Sequence, residues 1–157
     1  MQELKAALKA ALKQAGISAA DGGAWKMGPL QKEKGVFVSL RQITGAQGAF
    51  QQYLGLDIDG NEVYGAELTV TFALVLLTPK ELGAPEAEAF GEEIMNAVLL
   101  AVGQLGVQEI LCAEAQYDSL RDCFRQEITV QSRIMAYGTE TDSGVALSDF
   151  RVKALML

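Results

Sequence analysis

Asp57, Asp59 and Asn61 stand at alternate positions in YLGLDIDGNEVYG, residues 53–65, and a calcium loop begins with oxygen ligands at its first, third and fifth places. The spacing then fails. The sixth place of such a loop needs glycine and holds Glu62, and the twelfth needs a bidentate acid and holds Leu68. The residue types fit a turn around Asp59, Gly60 and Asn61, which tolerate positive φ and bond to nearby backbone. Other acid pairs are no better placed for proton transfer. Glu92 and Glu93 are adjacent on a helical pattern and point apart, while Asp118 and Asp122 share a polar turn with Arg121, so solvated surface accounts for both pairs.

Histidine is absent from all 157 residues, which removes the commonest base at neutral pH and the commonest transition-metal ligand. The two cysteines, Cys112 and Cys123, fall short of a four-thiolate zinc site and lack CxxC spacing; they read as reduced, half-buried thiols. The glycines of residues 44–62 are too irregularly spaced for a nucleotide fingerprint. A non-enzymatic chain without metal or cofactor is therefore expected. A net charge of −7 opposes tight nucleic-acid binding. No apolar run is long enough to span a bilayer, and the N-terminal MQELKAALKAALKQAGI lacks the marks of a secretory signal, so a cytoplasmic origin without membrane association is expected.

Periodicity predicts the elements that position these residues. Leu4, Leu8 and Leu12 recur every fourth residue with Ala7, Ala11 and Ala15 beside them, an amphipathic helix ending near Gly16. Lys5, Lys9 and Lys13 form a parallel basic stripe, either a solvated face or a partner-facing patch. Residues 17–34 read as a loop or excursion. GVFVSLRQI, from Gly35, predicts the first strand, and residues 44–62 a connector of the long kind that is usually functional. Tyr64, Ala66, Leu68, Val70, Phe72, Leu74 and Leu76 then fill every second position against Glu67, Thr69 and Thr71. That alternation is a long strand with one buried face, stopped at Thr78 and Pro79.

A second helix is predicted from Pro85 and Glu86, with Phe90, Ile94, Ala97, Val98, Ala101 and Leu105 on one face and Met95, Leu99 and Val102 widening it. VQEILCAEAQYD gives a third strand and a polar turn. In CFRQEITVQSRIMAY a fourth strand sets Phe124, Ile128, Val130, Ile134 and Ala136 against Arg125, Glu127, Thr129, Gln131 and Arg133. A last strand, running to the C-terminus, opposes Phe150, Val152, Ala154 and Met156 to Arg151 and Lys153. This order predicts an α+β fold, an antiparallel β-sheet with two amphipathic helices packed on one face, as a single domain over residues 1–157. The other sheet face, with Glu67, Thr69, Thr71, Arg125, Glu127 and Arg133, is left for solvent or a neighbouring subunit.

The lysine and leucine helix, the connector with Tyr53, Leu54, Gly55, Asp59, Gly60, Glu62, Tyr64 and Gly65, the strand end at Thr78 and Pro79, the acidic start of the second helix, and Tyr117, Asp118, Arg125 and Thr129 occur here in one order. In that combination, over most of its length, the chain resembles tailed-bacteriophage tail terminator, or tail completion, proteins. The resemblance implies a homo-oligomer, a hexameric ring that caps the tail tube, ends its polymerisation and offers a surface to head or neck connector proteins. It implies assembly in the host cytoplasm and residence in the virion tail, with no catalytic residue and no cofactor. The uncommitted connector and the mixed charges of the polar face place candidate contacts at Tyr53, Asp57, Asp59, Glu62 and Tyr64, and at Arg125 and Arg133, where charges could pair across a subunit boundary. The alternatives are a head–tail neck completion or minor tail protein, a small ligand-binding regulatory domain using the polar sheet face, and a hydrolase using scattered acids. Calorimetric titration with calcium, magnesium or zinc should give no specific heat; a stoichiometric micromolar site at Asp57 and Asp59 would contradict the failed spacing.

Overall fold

The computed structural model describes residues 2–22, 33–45, 52–56, 58–139 and 151–152. Along the chain run α1 (Gln2–Gln14), β1 (Ala19–Asp21), β2 (Gly35–Gly45), β3 (Gln52–Leu56) and β4 (Glu62–Pro79), then a 3-10 turn (Lys80–Leu82), α2 (Gly83–Leu100), α3 (Val102–Leu105), β5 (Val107–Cys112), β6 (Gln116–Asp118), β7 (Cys123–Thr139) and β8 (Arg151–Val152). The strands join one sheet of order β1-β2-β4-β7-β5, with β3 also on β4, and β6 and β8 on β7. The fold is α+β, with helices set against a mixed sheet.

Its axis is the antiparallel pair β4 and β7, aligned without a register shift from Val63 opposite Thr139 to Pro79 opposite Cys123. The alternation, unbroken on β4 and interrupted on β7 only by Gln126 and Ser132, explains the length of the ladder: a slip of one residue would turn every buried side chain to the wrong face. Ala66, Leu68, Val70, Phe72, Leu74 and Leu76 of β4 meet Ile128, Val130, Ile134 and Ala136 of β7 in the main core. Both helices close that core from the same side, α1 with Leu4, Leu8 and Leu12, and α2 with Phe90, Ile94 and Val98. The α1 stripe ends where Gly16 N–H donates to the Lys13 carbonyl and Ile17 N–H to that of Leu12, which seats Ile17 in the core beside it.

The structure departs from the sequence expectations in several places. β1 lies within the segment read as a loop, and it runs parallel to β2, from Ala19 opposite Val36 to Asp21 opposite Val38. The sheet is therefore mixed, and residues 22–34 supply the dozen or so that a parallel return needs. The connector contains β3, which continues the line of β2 along β4: β2 reaches Gly45 opposite Leu68, and β3 resumes with Gln52 opposite Gly65. Residues 116–118, read as turn, form β6. Of the expected last strand only Arg151–Val152 lie among the described residues.

Burial departs from expectation as well. Leu99, expected to widen the buried face of α2, is exposed, because it lies off the arc that carries Ile94, Val98 and Ala101. The second sheet face is polar only in part: Val75, Leu77 and Cys123 are buried there with Phe37 against them. Gln126 and Ser132, on the core parity of β7, are buried polar residues. Phe72 is 1% exposed and Thr71 stands half-buried on the opposite face. Phe72→Ala should therefore cost about 3 to 5 kcal/mol in denaturant unfolding and Thr71→Ala well under that, equal losses being incompatible with this register.

Candidate functional site

Three arrangements carry the side chains that sequence singled out. The first is the hairpin of β3 and β4. Residues 58–60 turn between the strands, with Gly60 at φ 83°. Leu56 then lies opposite Glu62, and Tyr53 opposite Tyr64, with a register shift between Tyr53 and Gly55. The two tyrosine rings meet edge to face at 5.7 Å, and the Tyr64 hydroxyl donates to Glu62 Oε2 at 2.6 Å. These contacts brace the hairpin without burying it. Leu54, Leu56 and Ile58 are exposed, Leu56 by 62% and Ile58 completely. Gly65 is needed opposite this strip because a Cβ there would stand 2.4 Å from the Leu54 side chain and 2.8 Å from the Ala136 carbonyl.

The hairpin projects because the sheet outruns its cover. β7, at 17 residues, extends about 56 Å, whereas α2, at 18 residues, spans about 27 Å. Exposure rises accordingly along β2 and β3, from buried Val36 and Val38 to exposed Leu40, Ile43 and Tyr53. Asp57 and residues 46–51 of the connector lie outside the described residues.

The second arrangement lies on the polar face. Glu127 accepts from Arg41 at 2.8 Å and from Arg125 at 2.7 Å, and Arg133 pairs with Glu67 at 3.2 Å. These ion pairs are made inside the chain, and they tie β2 and β4 to β7. Arg125, Glu127 and Thr129 also line a cleft of about 350 Å³ beside Leu111, Glu114 and Gln116. Its walls are too mixed in charge to define one ligand class. Cys112 opens onto that cleft, where burial and then the Glu92 charge push its thiol up, away from reactive thiolate. Cys123 is fully buried and raised for the same first reason. Both thiols are free, and Cys112 is held by Gln126, whose Nε2 donates to it at 3.3 Å and to the Ala113 carbonyl at 3.0 Å.

The third arrangement is the turn before β7. Asp118 Oδ1 accepts from the backbone N–H groups of Leu120 and Arg121 at 3.0 and 3.3 Å, while Oδ2 accepts from the Arg121 guanidinium at 2.7 Å. Arg121 is the larger cause that holds the Asp118 carboxyl below the usual range. Asp122, at φ 53°, is held by Lys80 and by the Tyr117 hydroxyl, and its carboxyl is lowered by those bonds in that order. Lys80 is raised by the same contact. A raised lysine and lowered carboxylates are fixed charges, poor at exchanging protons near pH 7. Sequence reasoning placed Asp118 and Asp122 in a polar turn and missed Lys80, whose approach depends on the 3-10 turn folding back beside β6.

No family model matches the chain, and no curated protein resembles it closely enough in sequence to count as a relative. Among the described residues no group of three or more acidic or cysteine side chains is placed to hold a metal ion. Because Asp118 is lowered in the folded chain, its contribution to stability is present above the ordinary aspartate value near about 4 and is lost as pH falls through the depressed one. Urea unfolding should accordingly show a midpoint that drops as pH falls from about 5 to about 2. Asp118→Asn, which keeps the backbone acceptor, should flatten part of that drop, and identical acid profiles would mean the pair with Arg121 contributes nothing.

Proposed function

We propose that this chain is a non-enzymatic virion morphogenesis protein of the tail terminator kind, a subunit that assembles into a ring, caps the tail tube and joins the tail to the head or neck. The observation that carries the proposal is the projecting hairpin. The connector whose residues resemble those proteins is the segment that leaves the helical cover and exposes Tyr53, Leu54, Leu56 and Ile58 over the two faces of one hairpin. Exposed aromatic and aliphatic side chains on a braced ribbon are what a protein contact uses, since their burial supplies affinity while Tyr53 and Tyr64 limit the ordering cost. The α+β architecture with both helices on one face agrees with the fold that the resemblance implies.

Two further features support an assembly role. The charged residues of the polar face are engaged in fixed pairs, which suits a scaffold more than proton transfer. The hairpin tip carries Asp59 and Glu62 beside its apolar residues, so a tube or neck surface that receives it would be apolar with basic residues at its margin.

In a virion-producing strain lacking this protein, tails should be overlong and headless, and the intact chain should restore uniform length. The double variant Leu56→Asp, Ile58→Asp should keep its circular dichroism yet fail to restore it. Tails of normal length that remain unjoined to heads would move the assignment to the neck. Uniform, head-bearing tails made without the protein would remove it from tail assembly.

A further inference from the structure

Charge is distributed unevenly along the chain. Residues 1–56 contain seven basic and three acidic side chains, whereas residues 81–120 contain eight acidic and no basic ones. The topology sends most of the described residues of the two blocks to different sides of the central strands. The first builds α1, β1, β2 and β3, which lie on one side of β4; the second builds α2, α3, β5 and β6, with β5 and β6 on the far side of β7 and α2 packed over β4, β7 and β5. Among the described residues the α1 lysines stand on the β1 side and Glu88, Glu92 and Glu109 on α2 and β5, whereas Lys34 of the first block is paired with Glu86 of the second.

The register shows that these charges stand at the same level. A single rung crosses the sheet through Asp21, Val38, Leu74, Ile128 and Cys112. At its β1 end Lys5 and Lys9 hold Asp21 at 2.5 and 3.5 Å, and Lys13, one turn further along α1, is exposed. At its β5 end α2 packs over the strand that carries Cys112, with Glu88 and Glu92 exposed on successive turns of that helix. A second rung, through Ile43, Val70, Ser132 and Val107, sets apolar surface at both edges. Leu40 and Ile43 are exposed at the β2 end. At the other end α2 finishes on Leu99 and Leu100, the latter 90% exposed, only the short α3 separating it from Val107.

We infer that the basic edge of one copy docks on the acidic edge of the next, with the Lys9 and Lys13 face of α1 meeting Glu88 and Glu92, and Leu99 and Leu100 of α2 covering Leu40 and Ile43. The two surfaces differ, so the contact is heterologous, and repetition gives a ring if the rotation closes and a filament if it does not. Opposite charges fix the direction and register of docking, and the buried leucines supply affinity. The contact stands on the charge layout alone; its closure into a ring rests on the proposed function.

A charge-swap experiment tests the contact. Lys9→Glu with Lys13→Glu makes both edges acidic, and Glu88→Lys with Glu92→Lys turns the acidic edge basic. Each double variant, folded by circular dichroism, should self-associate at least about tenfold more weakly than the parent in light scattering at low salt. An equimolar mixture should recover the parent's assembly, because the two acidic edges of one variant meet the two basic edges of the other when the copies alternate. If the parent forms rings and both variants form them equally well, these edges are not the contact, and the ring assignment survives. A parent that forms open filaments and obeys the swap keeps the contact and removes the ring. A parent that stays monomeric at millimolar concentration and low salt overturns both.

Discussion

Everything else in this molecule hangs on the β4 and β7 ladder. Central strands of this length are costly to order, and they hold because alternate rungs bury side chains on the helical side while the two backbones pair with each other from end to end. Once that ladder is fixed, β2, β3, β5, β6 and β8 have only two edges on which to add, and α1 and α2 only one face on which to close. The packing also sets where the structure stops being a closed core. Helices rise less than half as far per residue as strands, so two helices cannot cover ladders of comparable residue count. The uncovered length becomes the hairpin.

That mismatch leaves exposed apolar side chains on the hairpin, outside the described cleft. The titratable clusters are engaged as structural clamps: Lys80, Tyr117 and Asp122 hold the turn before β7, Asp118 caps it, and Glu127 is shared by two arginines. Each is shifted toward its charged form or locked by a partner, so none is poised to shuttle a proton. What the surface presents instead is shape and charge: a braced ribbon with exposed apolar residues and an acidic tip, a lysine stripe on α1 and exposed carboxylates on α2. These are the elements of specific, directional association, in which exposed ion pairs choose the orientation and apolar burial supplies the strength.

The α1 lysines show how one residue set serves two levels. Lys5 and Lys9 hold Asp21 and so fix α1 to β1, with Asp21 lowered first by its bond to Lys5. The same stripe continues to Lys13 at the basic edge. Two lysines on one aspartate leave that edge positive, so the clamp that positions the helix also marks the surface.

Sequence by itself determined the elements whose pattern is local. The fourfold leucine spacing of α1, the alternation of β4 and β7, the stop at Thr78 and Pro79 and the failed calcium spacing are all properties of neighbours along the chain, and the α+β fold follows from their order. Tertiary structure decided what depends on residues far apart. The parallel addition of β1, the pairing of β3 as a continuation of β2, the burial of Val75, Leu77 and Cys123 on the nominally polar face, and the approach of Lys80 to Asp122 have no periodic signature, because each is fixed by which strand lies beside which. The charge blocks of residues 1–56 and 81–120 could be counted in the sequence, but only the strand order, which puts β2 and β5 on opposite sides of the β4 and β7 pair, separates most of their described residues.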